Sequence, residues 1–416
     1  MSGQDVLIIG GGIIGVSCAE ELTRAGKRVT LIDKRPIGHG CSYGNAGWIT
    51  PCFAMPLPMP GMLIKSLKWM ADPQGPLYIQ PRLNMALVGW LMRFMRAMNQ
   101  QQMLRSIKAL TGISIYSLDQ YRKWDSESHG AFGYQQKGLL MVSQTQEGMR
   151  AVLEELRLVS SNGVDGRQLS PDQVHELEPA VDAQKVLGGV YFPNEAHAEP
   201  LAAVNFLADR SRKGGAQLLP GTELLELVVR NGAIDHVRTN HGIMKADQYV
   251  LATGAWSPPI AKMLGVRVPI LSGKGYSMII DKPARMPHVP MMLIEKKIAI
   301  TPRADSLRLA GTLELVGVDE SVSMGRVDAI LRGSAGLLEL PQPLEVKEIW
   351  RGLRPCTPDG VPIIGRVPKL PNLLIAAGHQ MLGLQSAPGT ARLAADLLLD
   401  RPPAFDPAPF RVERFA

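Results

Sequence analysis

Three glycines near the N-terminus have the spacing of a dinucleotide-binding turn. Gly10, Gly12 and Gly15 follow a short apolar run at residues 6–9. In such a turn the first glycine permits a tight bend, the second lets a pyrophosphate approach the backbone, and the third lets the helix pack against the strand. Asp33 lies 18 residues after Gly15, where a carboxylate can accept hydrogen bonds from an adenosine ribose. These residues predict a site for FAD or NAD rather than NADP, because the acid would repel a 2′-phosphate.

A strand, a helix and a second strand must position these residues. Residues 6–9 suit a buried parallel strand. The helix is predicted over residues 12–24, with Gly26 at its C-terminal end and its positive N-terminus directed at a phosphate. The second strand is predicted over residues 29–32. Glycine turns also occur in βαβ units that bind nothing, but the complete order of strand, turn, helix, strand and acid favours a nucleotide site.

A polar loop follows the second strand. Its sequence, GHGCSYGNAGWITP at residues 38–51, is rich in glycine, serine and asparagine. A loop of this kind can present backbone amides to a ligand. An ordinary surface loop has a similar composition, but the position directly after the second strand of a nucleotide fold favours ligand binding.

The composition is that of a soluble globular protein. The chain has 416 residues, of which 45% are hydrophobic and 20% charged, a length typical of about two or three domains. The net charge is +7, and the basic residues are dispersed among acidic ones, so a nucleic-acid partner has little support. A mildly basic surface suits an anionic substrate or an anionic membrane face, and it is equally compatible with a solvated surface.

The cysteines give no sign of a disulfide framework or a metal site. Cys18, Cys41, Cys52 and Cys356 form neither a CxxC pair nor a zinc-type cluster, which predicts reduced thiols and no bound metal. The first residues lead directly into the first strand, which predicts no signal peptide, and no stretch reads as a membrane-spanning helix. We therefore predict a cytoplasmic location, with a peripheral position at the inner membrane face as the alternative.

Residues 53–103 differ from the rest of the chain because they are rich in methionine and tryptophan. Apolar residues recur there at helical spacing beside two arginines, namely Met85, Val88, Met92, Met95, Arg93 and Arg96. We predict that this stripe packs into the core against neighbouring helices. The alternative is an amphipathic surface that contacts a membrane or a partner subunit.

The middle of the chain predicts a second sheet. Short apolar or β-branched runs at residues 186–192, 273–280, 290–301 and 306–313 are mostly separated by turn residues, as in an antiparallel sheet. The order of βαβ unit, mixed segment, strands and returning helices predicts an α/β nucleotide domain interrupted by a second, sheet-containing domain.

Three motifs resemble one enzyme family. Residues 247–257, DQYVLATGAWS, are similar to the second flavin-domain signature of the D-amino acid oxidase superfamily of FAD-dependent oxidoreductases. GLRPCTPDGVPIIG at 352–365 and NLLIAAGHQMLGLQSAPGTARLAADLL at 372–398 resemble the closing segment of glycine oxidase and bacterial D-amino acid dehydrogenase. SYGNAGWITP at 42–51 resembles the SYxNAG element of the dehydrogenase branch. The resemblance covers most of the chain and is loose over residues 104–185.

The resemblance implies a fold of two interleaved parts. One is a Rossmann-like α/β FAD-binding domain of the GR2/DAO type, and the other is an α+β substrate domain built on a large antiparallel sheet. We predict the FAD-binding domain over residues 1–52, 193–265 and 345–416, and the substrate-binding domain over residues 53–192 and 266–344.

The same resemblance implies FAD as the cofactor and a set of residues that contact it. The set is Gly10, Gly12, Ile13, Ile14, Gly15, Asp33 and Lys34 at the adenosine diphosphate; Ser42, Asn45, Ala46 and Gly47 at the pyrophosphate and flavin edge; Thr253 and Gly254 beside the dinucleotide; and Gly378, Gly383 and Leu384 at the isoalloxazine ring. A helix that begins near Ala387 is implied to direct its N-terminus at the flavin, where its dipole would stabilise the reduced anionic ring.

Three further residues are implied at the substrate. Arg354 resembles the arginine that binds the substrate carboxylate, since a planar fork matches a carboxylate bidentately; the alternative is a surface ion pair. Tyr276 resembles a substrate-binding tyrosine on the sheet, and the alternative is a core tyrosine with a bonded hydroxyl. His379 either contacts the substrate or packs beside the flavin.

The implied reaction is oxidation of a D-amino or imino acid, with D-proline or cis-4-hydroxy-D-proline as a narrower candidate. Hydride would pass from the α-carbon to flavin N5 and leave an imine, by positioning and electrostatics rather than by a base at carbon. Water would then hydrolyse the imine to a keto acid, or the imine would stay cyclic if the substrate is an imino acid. The dehydrogenase-like loop favours a quinone or similar carrier as electron acceptor. The alternatives are a glycine/sarcosine-type oxidase that uses oxygen, a flavin-bearing electron-relay subunit of a heteromeric complex, and, with less support, an NAD-linked dehydrogenase.

Overall fold

The computed structural model describes residues 5–61, 77–79, 85–341 and 343–415. The helices in these residues are α1 (Ile13–Arg24), α2 (Met85–Ala97), α3 (Gln100–Ser128), α4 (Gln146–Ser160), α5 (Pro171–Leu177), α6 (Pro200–Lys213), α7 (Ser257–Met263), α8 (Met324–Ala335) and α9 (Gly383–Leu398). The strands are β1 (Asp5–Ile9), β2 (Arg28–Asp33), β3 (Trp48–Ile49), β4 (Leu77–Ile79), β5 (Leu139–Ser143), β6 (Arg167–Leu169), β7 (Gly188–Phe192), β8 (Ala196–His197), β9 (Gln217–Pro220), β10 (Leu224–Arg230), β11 (Ala233–Thr239), β12 (Gly242–Met244), β13 (Gln248–Leu251), β14 (Leu271–Asp281), β15 (Met291–Leu293), β16 (Ile298–Pro302), β17 (Ser306–Leu315), β18 (Val346–Cys356), β19 (Ile363–Val367) and β20 (Leu370–Ala377).

The predicted N-terminal βαβ unit is confirmed. Its elements β1, α1 and β2 begin and end within one residue of the predicted positions. Gly15 has no room for a side chain, because a Cβ there would lie 1.8 Å from the carbonyl oxygen of Gly10. Gly10 itself has φ +113°, and a Cβ on it would lie 2.5 Å from the carbonyl oxygen of Ala252. The turn is therefore closely packed between β1, α1 and the end of β13.

A parallel sheet surrounds this unit. Its described strands run in the order β19, β20, β13, β1, β2 and β9. All neighbours in this order are parallel except β19 and β20, which are antiparallel. Because the parallel strands end at the same edge, Gly10, Asp33 and Ala252 are brought to one crevice, the usual ligand position in such a sheet.

The predicted second sheet is present and larger. Its described strands run in the order β18, β14, β17, β16, β15, β5, β7 and β6, with β4 beside β17. Most neighbours are antiparallel, and the pairs β5–β15 and β4–β17 are parallel. The predicted strand over residues 290–301 is two strands, β15 and β16, joined by a hairpin. One face of the sheet packs against α5 and α8, and the other packs against α4 and against Trp48 of β3.

One predicted domain boundary is displaced. The prediction assigns residues 345–416 to the FAD-binding domain, but β18 pairs along its length with β14 of the large sheet. Residues 346–356 therefore belong with the substrate-binding part, and the chain returns to the parallel sheet at β19. The sequence did not predict this boundary, because the segments before and after β18 do not differ clearly in apolar content.

The polar loop after β2 joins the two sheets. Three consecutive carbonyl oxygens of this loop accept hydrogen bonds from side chains on three strands of the large sheet. The donors are Ser277 to residue 44 at 2.5 Å, Arg308 to residue 45 at 3.1 Å and Thr301 to residue 46 at 2.8 Å. Buried backbone carbonyls must be paired, so these side chains fix the position of the loop between the sheets.

Helix α9 begins earlier than predicted, at Gly383 rather than near Ala387. Pro388 lies inside it and cannot donate to the carbonyl of Leu384, as the regular helix pattern requires. The hydroxyl of Tyr121 on α3 donates to that carbonyl instead, at 2.9 Å. The amide of Gly389 donates to the hydroxyl of a second α3 residue, Ser117, at 2.9 Å. The helix continues through the proline because α3 supplies the missing hydrogen bonds.

The prediction that the methionine stripe of α2 packs into the core is wrong. Met85 is 83% exposed, Met92 and Met95 are 50% exposed, and Val88 is 43% exposed. A second stripe on the same helix faces the large sheet, where the buried Trp90 donates to the carbonyl of Cys356 at 3.0 Å. Helix α2 carries large apolar residues on both faces, so the spacing of those residues could not indicate which face is buried. The parts of residues 53–103 between 62 and 84, apart from β4, lie outside the described residues.

The segment before α6 provides a second link between the sheets. Glu199 binds Arg303 bidentately, at 2.7 and 3.0 Å, and lies 3.4 Å from Arg308. Arg308 is 5% exposed. Burial lowers the pKa of Arg308, and the carboxylate of Glu199 opposes that effect. The ion pair thus compensates a buried cation that also holds the polar loop.

We predict that Tyr121→Phe destabilises the protein by about 1–3 kcal/mol, because it leaves the buried carbonyl of Leu384 without a donor. The matched control is Tyr191→Phe, which removes an exposed hydroxyl bond to the carbonyl of Lys137 and should cost less than about 0.5 kcal/mol. Urea unfolding measures both free energies. Equal losses in the two variants would contradict the role assigned to Tyr121.

A pH dependence is predicted for Glu195, which accepts from the amide of Cys52 in the 3-10 turn Pro51–Phe53. Burial raises the pKa of Glu195 from 4.5 to about 8. The folded protein therefore keeps this proton where the unfolded chain has lost it, so the contribution of Glu195 to stability is fully present below pH 4.5 and is lost as the pH rises towards 8. The slope is about 1.4 kcal/mol per pH unit.

Glu195→Gln removes this titration. The free energy of unfolding of the variant, relative to that of the wild type, should therefore rise between pH 5 and pH 8 and then level off. Urea unfolding at several pH values measures the difference. Curves that run parallel over this range would show that Glu195 does not titrate as stated.

Candidate active site

One cavity connects the glycine turn to the large sheet. Its volume is about 1210 Å³, larger than a typical site for a single small ligand. It begins at Thr222 and Trp256 beside the end of β2, passes the glycine turn and the polar loop, and ends over β14, β17 and β18 of the large sheet. The two sheets therefore contribute to a single site.

The nucleotide end of the cavity is lined by six of the seven residues that the resemblance implies at the adenosine diphosphate, namely Gly10, Gly12, Ile13, Ile14, Asp33 and Lys34. The carboxylate of Asp33 accepts from the amide of Gly11 at 2.7 Å and from the amide of Arg35 at 2.8 Å. Each of its oxygens has a further lone pair that a ribose hydroxyl could use. Gly15 does not line the cavity; it is the contact between helix and strand described above.

The polar loop forms the next part of the wall, through Ser42, Asn45 and Ala46. The hydroxyl of Ser42 accepts from the amide of Ile13 at 2.9 Å, so it covers part of the N-terminus of α1. The side chain of Asn45 accepts from the amide of Gly47 at 2.9 Å and thereby shapes its own loop. Gly47 does not line the cavity. It has φ +78°, and a Cβ there would lie 2.3 Å from the carbonyl oxygen of Ala198.

Thr253 and Gly254 follow β13 and lie beside the glycine turn. The hydroxyl of Thr253 is 3.0 Å from that of Ser257, the first residue of α7. The next residues contribute Trp256, whose ring stacks against the guanidinium of Arg35 at 5.1 Å. Neither Arg35 nor Trp256 is among the predicted cofactor residues, although Trp256 lies in the 247–257 motif and Arg35 directly follows Lys34.

The N-terminus of α9 faces the cavity through Gly383 and Leu384. No side chain caps it, and no acidic residue lies in its first turn, so its dipole favours a negative charge in front of it. Gly378 does not line the cavity; it has φ +88° and allows the turn after β20 to pass close to Thr357.

His379 borders the cavity and is neutral. Its Nε2 lies 3.0 Å from the hydroxyl of Thr390 on α9, and the residue is 3% exposed. Burial lowers the pKa of His379 from 6.5 to about 3. At neutral pH the imidazole is therefore uncharged, so its contribution is to pack and orient rather than to supply a positive charge.

Arg354 reaches the cavity from β18. Its Nη1 donates to the carbonyl oxygen of Thr312 at 2.5 Å. Among the residues that the structure describes, no carboxylate lies within ion-pair distance of it. Burial lowers the pKa of Arg354, but a guanidinium remains charged in proteins. A half-buried cation without a counterion opens into the cavity and can accept an anionic ligand.

The structure does not bring the hydroxyl of Tyr276 to Arg354. Tyr276 packs in the apolar core on the far face of the large sheet, whereas the guanidinium lies over Gly275 on the cavity face. Its hydroxyl donates to Glu314 at 2.7 Å and accepts from the amide of Ser323 at 3.3 Å. Burial raises the pKa of Tyr276 above its ordinary value. This geometry agrees with the alternative interpretation, a core tyrosine with a bonded hydroxyl, and Tyr276 also borders the cavity between Gly275 and Ser277.

The residues present fit a flavin dinucleotide. The glycine turn has no side chains where a diphosphate would lie, α1 has no acidic residue in its first turn, and Asp33 is at the ribose position. The uncapped N-terminus of α9 provides a second positive pole further along the cavity. By contrast, residues 5–61, 77–79, 85–341 and 343–415 contain no group of His, Cys, Asp and Glu that could hold a metal ion.

Some residues of the site carry a sequence signal that the prediction did not use. Gly273 and Gly275 alternate with larger residues inside β14, and glycines within a strand mark a close approach of another group. Trp90, Leu91 and Phe94 of α2 also border the cavity. The helical spacing of α2 predicted a core contact for the opposite stripe.

Comparison with known proteins agrees with this site. The chain matches the DAO family, described as FAD dependent oxidoreductase, over residues 5–397. It is 32% identical to a D-amino acid dehydrogenase of Methylobacterium radiotolerans, over 99% of both chains. It is 31% identical to a D-amino acid dehydrogenase of Vibrio cholerae, over 95% of both chains.

Solved structures show the same fold. The L-proline dehydrogenase of P. horikoshii superposes with a TM-score of 0.78 at 23% identity, covering 99% of this chain and 98% of that one. The glycine oxidase of Geobacillus kaustophilus superposes with a TM-score of 0.76 at 23% identity, covering 98% of both chains. The family match extends over almost the whole chain and includes both sheets. The chain therefore belongs to the DAO family of FAD-dependent oxidoreductases.

Proposed function

We propose that this enzyme oxidises a D-amino or imino acid at its α-carbon. The observation that carries the proposal is Arg354, a guanidinium without a carboxylate partner in the described residues, which opens into the same cavity as the dinucleotide turn. A substrate carboxylate would supply the missing counterion bidentately. The relatives from Methylobacterium and Vibrio, both D-amino acid dehydrogenases, support the D configuration.

The chain's own residues would bind and orient rather than transfer protons. When bound, FAD supplies the two-electron chemistry. Arg354 would hold the carboxylate and so direct the α-carbon, and the N-terminus of α9 would stabilise negative charge that develops in front of it. His379 is neutral and bonded to Thr390, and the hydroxyl of Tyr276 is bonded on the far face. Rate acceleration by positioning agrees with this arrangement.

We infer that the electrons leave on a quinone or similar apolar carrier. Leu91, Phe94 and Met98 line the cavity beneath α2. These side chains would bind an apolar molecule favourably. The exposed stripe of Met85, Val88, Met92 and Met95 on the same helix is hereafter the methionine face, and Met95 at its end also borders the cavity. An apolar carrier that dissolves in lipid would be most accessible to an enzyme that lies against a membrane.

The charge around the methionine face supports a peripheral contact with an anionic membrane. Residues 73–118 contain no acidic residue and five basic ones, namely Arg82, Arg93, Arg96, Arg105 and Lys108. Basic residues beside an exposed apolar helix face are typical of helices that lie at a membrane surface. Within the described residues, no helix has both the length and the apolar character needed to cross a bilayer.

The substrate class is tested with the purified FAD-loaded protein. We expect anaerobic addition of a panel of D-amino acids, including D-proline and cis-4-hydroxy-D-proline, to bleach the flavin absorbance, and the L-enantiomers to have no effect. Reoxidation by a quinone analogue faster than by oxygen is expected for a dehydrogenase, and the reverse would indicate a glycine/sarcosine-type oxidase. If no amino acid in the panel bleaches the flavin, the proposal is wrong.

Arg354→Lys tests the residue that carries the proposal. We expect the Michaelis constant to rise by about 100-fold while FAD stays bound, because lysine keeps the charge but loses the planar fork. The matched control is Arg351→Lys on the same strand, which alters a pair with Glu320 at 3.5 Å outside the cavity and should change the constant by less than about threefold. Loss of FAD from the Arg354 variant would contradict the assigned role.

Membrane contact is tested by sedimentation with phosphatidylglycerol vesicles. We expect wild-type protein to sediment with them, and Met85→Glu/Met92→Glu to bind at least about tenfold more weakly, because it removes apolar area and adds repulsive charge. The control is Leu225→Glu/Ile243→Glu, which changes the charge equally at residues that are 53% and 66% exposed. Equal losses in both double variants would show that the methionine face has no special role.

A further inference from the structure

The guanidinium of Arg354 lies directly on the backbone of Gly275. A Cβ on Gly275 would lie 2.1 Å from Nη1 of Arg354, 2.3 Å from Cζ and 2.4 Å from Nη2. The side-chain space of Gly275 is therefore occupied by the guanidinium. Any larger residue there would displace it.

A β-bulge is located at the same point. Along β14 and β17, Lys274 pairs with Glu314 and Tyr276 pairs with Gly311. Between these two pairs, β17 has two residues, Thr312 and Leu313, and β14 has only Gly275. A bulge of this kind interrupts the ladder and redirects the groups beside it, and bulges are frequent next to active sites.

Thr312 adopts a conformation that is unusual for its residue type. Its φ is +60°, in the left-handed region that β-branched residues rarely adopt. This conformation directs the carbonyl oxygen of Thr312 at Nη1 of Arg354, 2.5 Å away. A strained backbone conformation persists where the surrounding structure stabilises it or function requires it. The bond from Nη1 of Arg354 to the carbonyl oxygen of Thr312 is such a requirement.

We infer that Gly275 and Thr312 are positioning residues for the carboxylate site, an inference that rests on the proposed function. Gly275 provides the surface on which the guanidinium lies, and the carbonyl of Thr312 fixes its rotation by holding Nη1. The edge formed by Nε and Nη2 has no acceptor in the described part of the chain and is left for the substrate carboxylate. Without these two contacts, the substrate itself would have to order the long arginine side chain, and the affinity for the substrate would be lower.

Gly275→Ala tests the positioning role of Gly275 in the FAD-loaded enzyme, and Gly273→Ala is the matched control. Gly273 lies two residues away on β14, and a Cβ there would crowd Leu313 at 2.6 Å and Cys356 at 2.9 Å without touching the guanidinium. The affinity for benzoate, a simple carboxylate, is measured from its perturbation of the flavin spectrum, with uncharged benzamide as the reference ligand.

We expect Gly275→Ala to weaken benzoate binding and raise the Michaelis constant by about 30- to 100-fold, since displacement by about 1 Å has effects of this size. Its affinity for benzamide should change by less than about threefold, because benzamide carries no charge for the guanidinium to bind. Gly273→Ala should stay within about threefold of wild type for benzoate. Equal loss in the two variants, or loss of benzamide binding together with benzoate, would overturn the inference.

Thr312→Gly tests the part played by the carbonyl. Glycine adopts the left-handed conformation without strain and keeps the carbonyl oxygen, so benzoate affinity should stay within about threefold of wild type and the midpoint of thermal unfolding should not fall. A loss as large as that of Gly275→Ala would show that the threonine side chain, and not its carbonyl, is required.

These outcomes separate the inference from the proposed function. Suppose that benzoate binds to the wild-type enzyme, that Arg354→Lys weakens this binding and that Gly275→Ala does not change it. Arg354 then binds the carboxylate as proposed, but Gly275 does not position it. If Arg354→Lys binds benzoate as wild type does, the carboxylate site itself is wrong.

Discussion

The polar loop at residues 38–51 sets the distance between the two halves of the active site. At one end it contacts the N-terminus of α1, where the hydroxyl of Ser42 accepts from the amide of Ile13. A few residues later its carbonyls are held by side chains from β14, β16 and β17. A buried carbonyl without a donor is costly, so the loop cannot move without breaking several bonds at once. The spacing between the dinucleotide turn and Arg354 follows from this constraint.

The local parts of the fold could be predicted from the sequence. The unit β1–α1–β2 depends on a short apolar run, on glycine spacing and on one acid, all within 30 residues, and its bounds were accurate to one residue. Features that depend on distant partners could not be predicted in the same way. Helix α9 is an example: Pro388 is typical of a helix start, and only the hydroxyls of Tyr121 and Ser117 show why the helix begins earlier.

The site was predictable to the extent that its residues belong to motifs. Most predicted cofactor residues line the cavity, and Gly15, Gly47 and Gly378 serve the backbone around it. The side of the sheet occupied by Tyr276 was not predictable, because β14 is buried on both faces. The exposed face of α2 was missed for a similar reason, since this helix carries large apolar residues on both faces.

The strand order of the parallel sheet has a consequence for biosynthesis. Strand β1 lies inside the sheet between β2 and β13, and β20, which ends at residue 377, lies on the other side of β13. During synthesis an apolar strand of this sheet therefore keeps an open edge until β20 has left the ribosome. A chain truncated before β20 would leave the edge of β13 unpaired, and an unpaired apolar edge favours aggregation.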